Sequence, residues 1–258
     1  MRWWAPGLLA CLVLTWPAAG RAGQATTAGE RGEILVAAAA DLAFVFREII
    51  PAFERGQGTR VTLTLGSSGQ LAQQIEHGAP YDVFFSASAD YIEGLRERGK
   101  VRADSITTYA QGRLVLATRG DRTPPAALAE LGRGAVLRVA LANPAHAPYG
   151  RAAKEALERT GLWERLRPKL VFGENVAQVQ QFLRTGNVDV ALLPLSMVQT
   201  SDVRFIPIES NLHQPITQVA AVTAHSGQPG LARAFIRFVG DEGRSAMKRF
   251  GFLLPGEF

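Results

Sequence analysis

Four short stretches place hydroxyls and small residues where an apolar, strand-like run gives way to a helical one. They are Ala40-Asp41, Ser67-Ser68-Gly69, "ANPAHAPYG" (Ala142–Gly150) and "GENVAQ" (Gly173–Gln178). The first N–H groups of a helix have no intrahelical acceptor and lie at the positive end of its dipole, so each junction is an anion site that needs no Arg or Lys. Ser, Asp and Asn are also the usual helix caps, and any one junction reads equally well as ordinary capping. Four in one chain point further. Micromolar capture of an anion needs about −8 kcal/mol, and a hydrogen bond to a charged group contributes roughly 1.5–3 kcal/mol, so about five to seven donors shared among four junctions suffice.

Other chemistry finds less support. The four histidines, His77, His146, His213 and His225, show no metal-ligand spacing, and His146 reads as a solvent-facing loop residue. Ser68 with a histidine and Asp82 could be drawn as a hydrolase triad, but "GSSG" is not the G-x-S-x-G elbow. No catalytic residue, cofactor or directly bound metal is therefore expected. Trp163 and the phenylalanines fit core positions, and the acidic residues of "DEGRSAMKR" fit a solvated helix face.

Strands and helices alternate around these junctions. "EILVAAAA" is a continuous apolar run, and the stretch after it sets Leu42, Val45, Phe46, Ile49, Ile50 and Phe53 at helical spacing. "RVTLTLG" and "YDVFFSA" read as strands, followed by the helical "SGQLAQQIEHG" and "DYIEGLRERGK". The pattern restarts with the strand-like "GRLVLAT", "LRVALANP", "KLVFG" and "VDVALLPLS", between which lie the helical "YGRAAKEALERTGLW" and "VAQVQQFLRTGN". A last strand, "ITQVAAVTA", precedes one or two amphipathic helices. Apolar strand runs alternating with helices imply an α/β fold, each half a mostly parallel sheet flanked by helices. The expected layout is two-lobed: 33–110 plus 219–258 in lobe I and 111–218 in lobe II, with hinge crossings near Tyr109–Gly112 and Gln214–Val219. Ligands of open α/β sheets lie beyond the carboxyl ends of the strands, and two of the four junctions fall in each lobe.

The N-terminus reads separately. "MRWWAPGLLACLVLTWPAAGRAGQ" has an early Arg2, a short apolar stretch and small residues ending at Ala22, the pattern of a signal peptide over residues 1–22. The apolar stretch falls well short of the ~20 residues that span a bilayer. The expected product is exported to the periplasm. Cys11, the one cysteine, lies inside this segment, so the mature chain has no disulfide or thiolate chemistry. The net charge of +5 loses Arg2 and Arg21, leaving 26 basic against 23 acidic residues. That mild bias favours small anions, and without Lys/Arg clusters it excludes a nucleic-acid partner.

Taken together, "AAAADL", "GSSGQLAQQIEHGAPYDVFFSA", "ANPAHAPYG", "GENVAQ" and the terminal "KRFGF" resemble the periplasmic molybdate-binding proteins of ABC importers over nearly all of the mature chain. The resemblance implies a type II periplasmic binding fold, expected to act as a monomer, that captures molybdate or tungstate in an inter-lobe cleft and hands it to a membrane permease. In that family the dianion is held by N–H groups and hydroxyls without a full positive charge. Ser68 matches a hydroxyl donor, with Ser67 beside it. Tyr149 matches the tyrosine form of the third junction, Val176 a backbone N–H donor, and Asn175 its cap. A second tyrosine of some members is replaced by Pro194, a loss for which Tyr149 would compensate.

Asp41 departs from the family's Ser or Asn, because an ionised carboxylate can only accept and would repel a dianion. Two readings stand. In one, the carboxylate caps its own helix and only its N–H faces the ligand. In the other, it accepts a proton-bearing ligand oxygen and selects a different, protonated oxyanion. Presentation of the ligand to a membrane sensor is the alternative to transport.

Overall fold

A computed structural model describes Met1 and residues 32–258, apart from 133–135, 137 and 201. Except for Met1, the signal-peptide reading therefore lies outside the described residues.

The first half of the chain runs β1 (Glu33–Ala39), α1 (Ala43–Gln57), β2 (Arg60–Gly66), α2 (Ser68–Glu76), β3 (Val83–Ser86), α3 (Ala89–Glu97) and β4 (Thr107–Gly112). It continues with β5 (Leu114–Arg119), β6 (Val139–Ala142), α4 (Pro148–Arg159), α5 (Trp163–Leu166), β7 (Leu170–Gly173), α6 (Val176–Arg184), β8 (Val190–Pro194) and β9 (Val203–Pro207). The chain closes with β10 (Ile216–Val222), α7 (Pro229–Gly240) and α8 (Arg244–Arg249).

Two five-stranded sheets result, in the orders β2-β1-β3-β10-β4 and β7-β6-β8-β5-β9. In each, the first three strands are parallel, and the fourth runs antiparallel to both neighbours. Only that fourth strand is reversed, so four of the five strands in each sheet point the same way and the sheets are mixed but mostly parallel, as expected. At the expected hinge crossings β4 and the start of β10 pair antiparallel, with Gly112 opposite Ile216 and Gln111 opposite Thr217. The chain passes between the halves on two strands held together by backbone hydrogen bonds.

The burial pattern explains the sheets. β3, β6 and β8 are buried at every residue, as strands covered on both faces must be. α1 sets Val45, Phe46, Ile49 and Phe53 inward, where Phe46, Phe53, Phe85 and Phe235 pack edge to face at centroid separations of 4.9 to 5.6 Å. A second apolar cluster fills the other half around β5, β6 and β8. Ala39, Ala40 and Ala87, from the first sheet's strand ends, join that second cluster. Small residues there let the two halves approach closely.

Candidate functional site

The four junctions occupy equivalent places, at the carboxyl ends of the first two parallel strands of each sheet: β1 and β2 in one, β6 and β7 in the other. At the start of α2, Ser67 Oγ accepts from Gln70 N–H at 3.3 Å and the Gly69 N–H donates to His146 O at 2.9 Å, which leaves the Ser68 N–H. At the start of α6, Asn175 Oδ1 accepts from the N–H groups of Ala177 and Gln178, which leaves that of Val176. α4 opens with Pro148, which has no N–H, so Tyr149 carries the first donor of that helix. After β1, a single 3-10 turn, Ala40–Leu42, precedes α1 and supplies the Asp41 N–H. No lysine or arginine lies at any of these junctions. Ser68 is fully buried, and its Oγ accepts from Ala87 N–H at 3.0 Å, which uses a lone pair and not the hydroxyl proton.

Asp41 is the buried carboxylate among the junction residues, 1% exposed. Its carboxylate does not cap a helix: neither the 3-10 turn nor α1 has a side-chain cap. This corrects the capping expectation, because Asp41 lies inside the turn and its side chain projects across to β10. There Oδ2 accepts from Gln218 Nε2 at 2.7 Å. Gln218 Oε1 accepts in turn from the Tyr109 hydroxyl at 3.0 Å, and Gln218 Nε2 lies 3.5 Å from the Tyr149 hydroxyl. The Tyr149 hydroxyl acts on the carboxylate as a hydrogen-bonding neighbour, yet Oδ1 has no aligned hydrogen-bond partner among the described residues. Burial raises the Asp41 pKa to about 7, and the contacts with Tyr149 and Gln218 oppose the rise without cancelling it. Burial, with Asp41 nearby, also pushes Tyr109 and Tyr149 well above 10, so both remain neutral hydroxyls. The Tyr149 ring is seated by Gly112, where a Cβ would fall 2.0 Å from the tyrosine oxygen.

Residues 34–253 match the model of the bacterial extracellular solute-binding proteins. The chain belongs to that family. It is 34% identical to the molybdate-binding protein ModA of Rhodobacter capsulatus, over 86% of this chain and 88% of that one. To ModA of Azotobacter vinelandii it is 32% identical, over 90% and 94%. The solved structure of the Azotobacter vinelandii periplasmic molybdate-binding protein superposes with a TM-score of 0.81 at 27% identity, over 86% of this chain and 99% of that one. The two-lobed α/β architecture is thus that of the extracellular solute-binding family.

Near these junctions several side chains bridge the two halves. Ser67 Oγ lies 2.8 Å from His146 Nδ1, Gln70 Nε2 donates to Glu174 Oε2 at 2.7 Å, and His146 Nε2 lies 3.6 Å from the same carboxylate. On the other flank, Arg151 donates to Ser88 Oγ at 2.8 Å and pairs with Asp90 at 3.2 Å. Ser196 Oγ, beyond β8, donates to Asp41 O at 2.8 Å. His146 is therefore a bridging residue with a partner on each side, which corrects its reading as a solvent-facing loop histidine. Ser67 is engaged by Gln70 and His146, whereas Asp41, Tyr149 and Gln218 form one buried cluster. Gln218 and Tyr109 were missed from sequence. The available signal was a glutamine in the middle of the apolar run "ITQVAAV", fully buried here. Among the described residues no group of three His, Cys, Asp or Glu side chains could hold a metal ion, and no helix is long and apolar enough to cross a membrane.

Proposed function

We propose that the protein is the periplasmic solute-binding component of an ABC importer, which captures molybdate or tungstate between its lobes as a monomer and delivers it to the membrane permease. The observation that carries this reading is the set of four strand-to-helix junctions, two per lobe, built from N–H groups and hydroxyls with no lysine or arginine. The relatives named for molybdate support the choice of ion. In this reading Ser68 and Tyr149 donate through their hydroxyls, Val176 and Asp41 through their N–H groups, and Asn175 and Ser67 hold the helix starts in place. The protein binds and releases its cargo without transforming it, and it needs no cofactor. Fixed neutral donors discriminate by how well the oxygens reach them, so the smaller sulfate binds worse. Calorimetry with molybdate, tungstate and sulfate tests the reading, and sulfate binding as tight as molybdate overturns it.

The buried Asp41 carboxylate favours one second reading, an oxyanion that carries its own proton, such as hydrogen phosphate, with Asp41 as acceptor. A thermal-shift panel of oxyanions at fixed pH separates the two.

A further inference from the structure

Asp41 is an anomaly in an anion site. A fixed negative charge in the cleft would oppose a dianion, and a buried carboxylate oxygen without a partner is a rare state in folded proteins. Both difficulties vanish if the carboxyl is neutral. As the acid it has one acceptor oxygen and one O–H donor, and the structure provides for each: Oδ2 accepts from Gln218 Nε2 at 2.7 Å, and Oδ1, beside the Tyr149 hydroxyl, has no aligned hydrogen-bond partner among the described residues. Gln218 Oε1 accepts from the Tyr109 hydroxyl. In this arrangement the amide presents its N–H to Asp41, so that Oδ2 is the acceptor and the proton of the acid sits on Oδ1.

We propose that Asp41 binds the oxyanion as the neutral acid, its Oδ1–H donating to a ligand oxygen, so that capture of a dianion is coupled to capture of one proton. This rests on the oxyanion reading above and adds the residue that makes it depend on pH. The proton comes from Asp41 itself where the free protein already carries it, and from solution where it does not. With the Asp41 pKa at about 7, affinity is flat on the acid side of that value. On the alkaline side it falls by about tenfold per pH unit.

The surroundings leave Asp41 as the group that titrates. Tyr149 of α4 and Tyr109 of β4 face it and stay protonated throughout this range. Gln218 of β10 and Ser196 beyond β8 have no ionisable group. The helices α1 and α6 also pack on the Asp41 turn. Their Arg47, Glu48, Arg55 and Arg184 are exposed, and Glu54 accepts from Val61 N–H. The histidine nearest this cluster, His146, faces Ser67 and Glu174 and not Asp41.

The test is calorimetry of the full mature chain with molybdate from about pH 5.5 to about pH 9, in buffers of different ionisation enthalpy. The parent should take up close to one proton per molybdate at the alkaline end and close to none at the acid end, with affinity falling by about tenfold per pH unit above the Asp41 pKa. Asp41→Asn keeps an acceptor for Gln218 and supplies a permanent N–H donor, so it should bind at least as tightly as the parent at the alkaline end, with no uptake and no slope. His146→Gln should keep the parent's slope. Molybdate binding by the parent with no proton uptake at any pH overturns the proposal and leaves the oxyanion reading standing. A folded Asp41→Asn protein that loses affinity across the whole range overturns it too. Should that variant fail to fold, proton uptake by the parent decides alone. No molybdate binding by the parent at any pH overturns both readings.

Discussion

The stability of the unliganded protein should fall as pH rises through neutrality, and Asp41→Asn should abolish that part of the fall. Folding moves the Asp41 pKa from 3.8 to about 7, because the carboxyl is carried into the inter-lobe cluster away from water. Between those values the folded chain binds a proton that the unfolded chain does not, so stability decreases with increasing pH at about 1.4 kcal/mol per unit. The contribution is fully present below the unfolded value and has been lost once pH exceeds the folded one. From about pH 5 to about pH 8.5 the parent should therefore lose about 3 kcal/mol more than Asp41→Asn, since roughly two units of that span lie below the folded pKa. Other titrating groups contribute equally to both proteins and cancel in the comparison. Urea unfolding followed by circular dichroism at the two pH values, without ligand, measures the difference. Equal pH dependence in parent and variant would refute the argument, for it would mean that Asp41 is already ionised, or solvated, in the folded chain.

Three further substitutions probe the surroundings. Gly112→Ala sets a Cβ 2.0 Å from the Tyr149 oxygen. It should displace that ring and weaken molybdate binding at least as much as Tyr149→Phe, which loses one hydrogen bond to a charged group worth roughly 1.5–3 kcal/mol; calorimetry compares them. Ser68→Ala should weaken binding by a similar amount, but it should also lower the unliganded melting temperature, since the buried Ala87 N–H loses its acceptor at about 1–3 kcal/mol. Glu174→Ala removes a bridge from Gln70 that is largely exposed on the glutamate side. It should weaken binding by no more than about 1 kcal/mol, mostly as faster dissociation in stopped-flow, while leaving the order of preference among oxyanions unchanged.

Much of the architecture is legible in the sequence because its signals are local. A fully buried strand announces itself as a continuous apolar run, and the four junctions follow from the change of periodicity at the end of each. The strands that escaped notice lack that signal. β9, "VRFIP", is mostly exposed, and β4, "TTYAQG", mixes polar and apolar residues because it forms part of the crossing between the halves. Asn175 reads correctly as a cap because a cap and its acceptors are neighbours in the chain.

Asp41 shows where local reasoning stops. An aspartate before an apolar helix is a capping signal, and nothing nearby in sequence says otherwise. What overrides the signal is Gln218, 177 residues away on a strand that returns from the other half. Tyr149 approaches from the opposite lobe across the glycine at position 112. His146 is a similar case, its partners Ser67 and Glu174 coming from different sheets. A polar residue inside an otherwise apolar strand, as at Gln218, is the trace such a pairing leaves in sequence. It says that a buried partner exists, because an amide without one would cost several kcal/mol. It does not say that the partner is a carboxyl, and the charge state of this site follows from that identity.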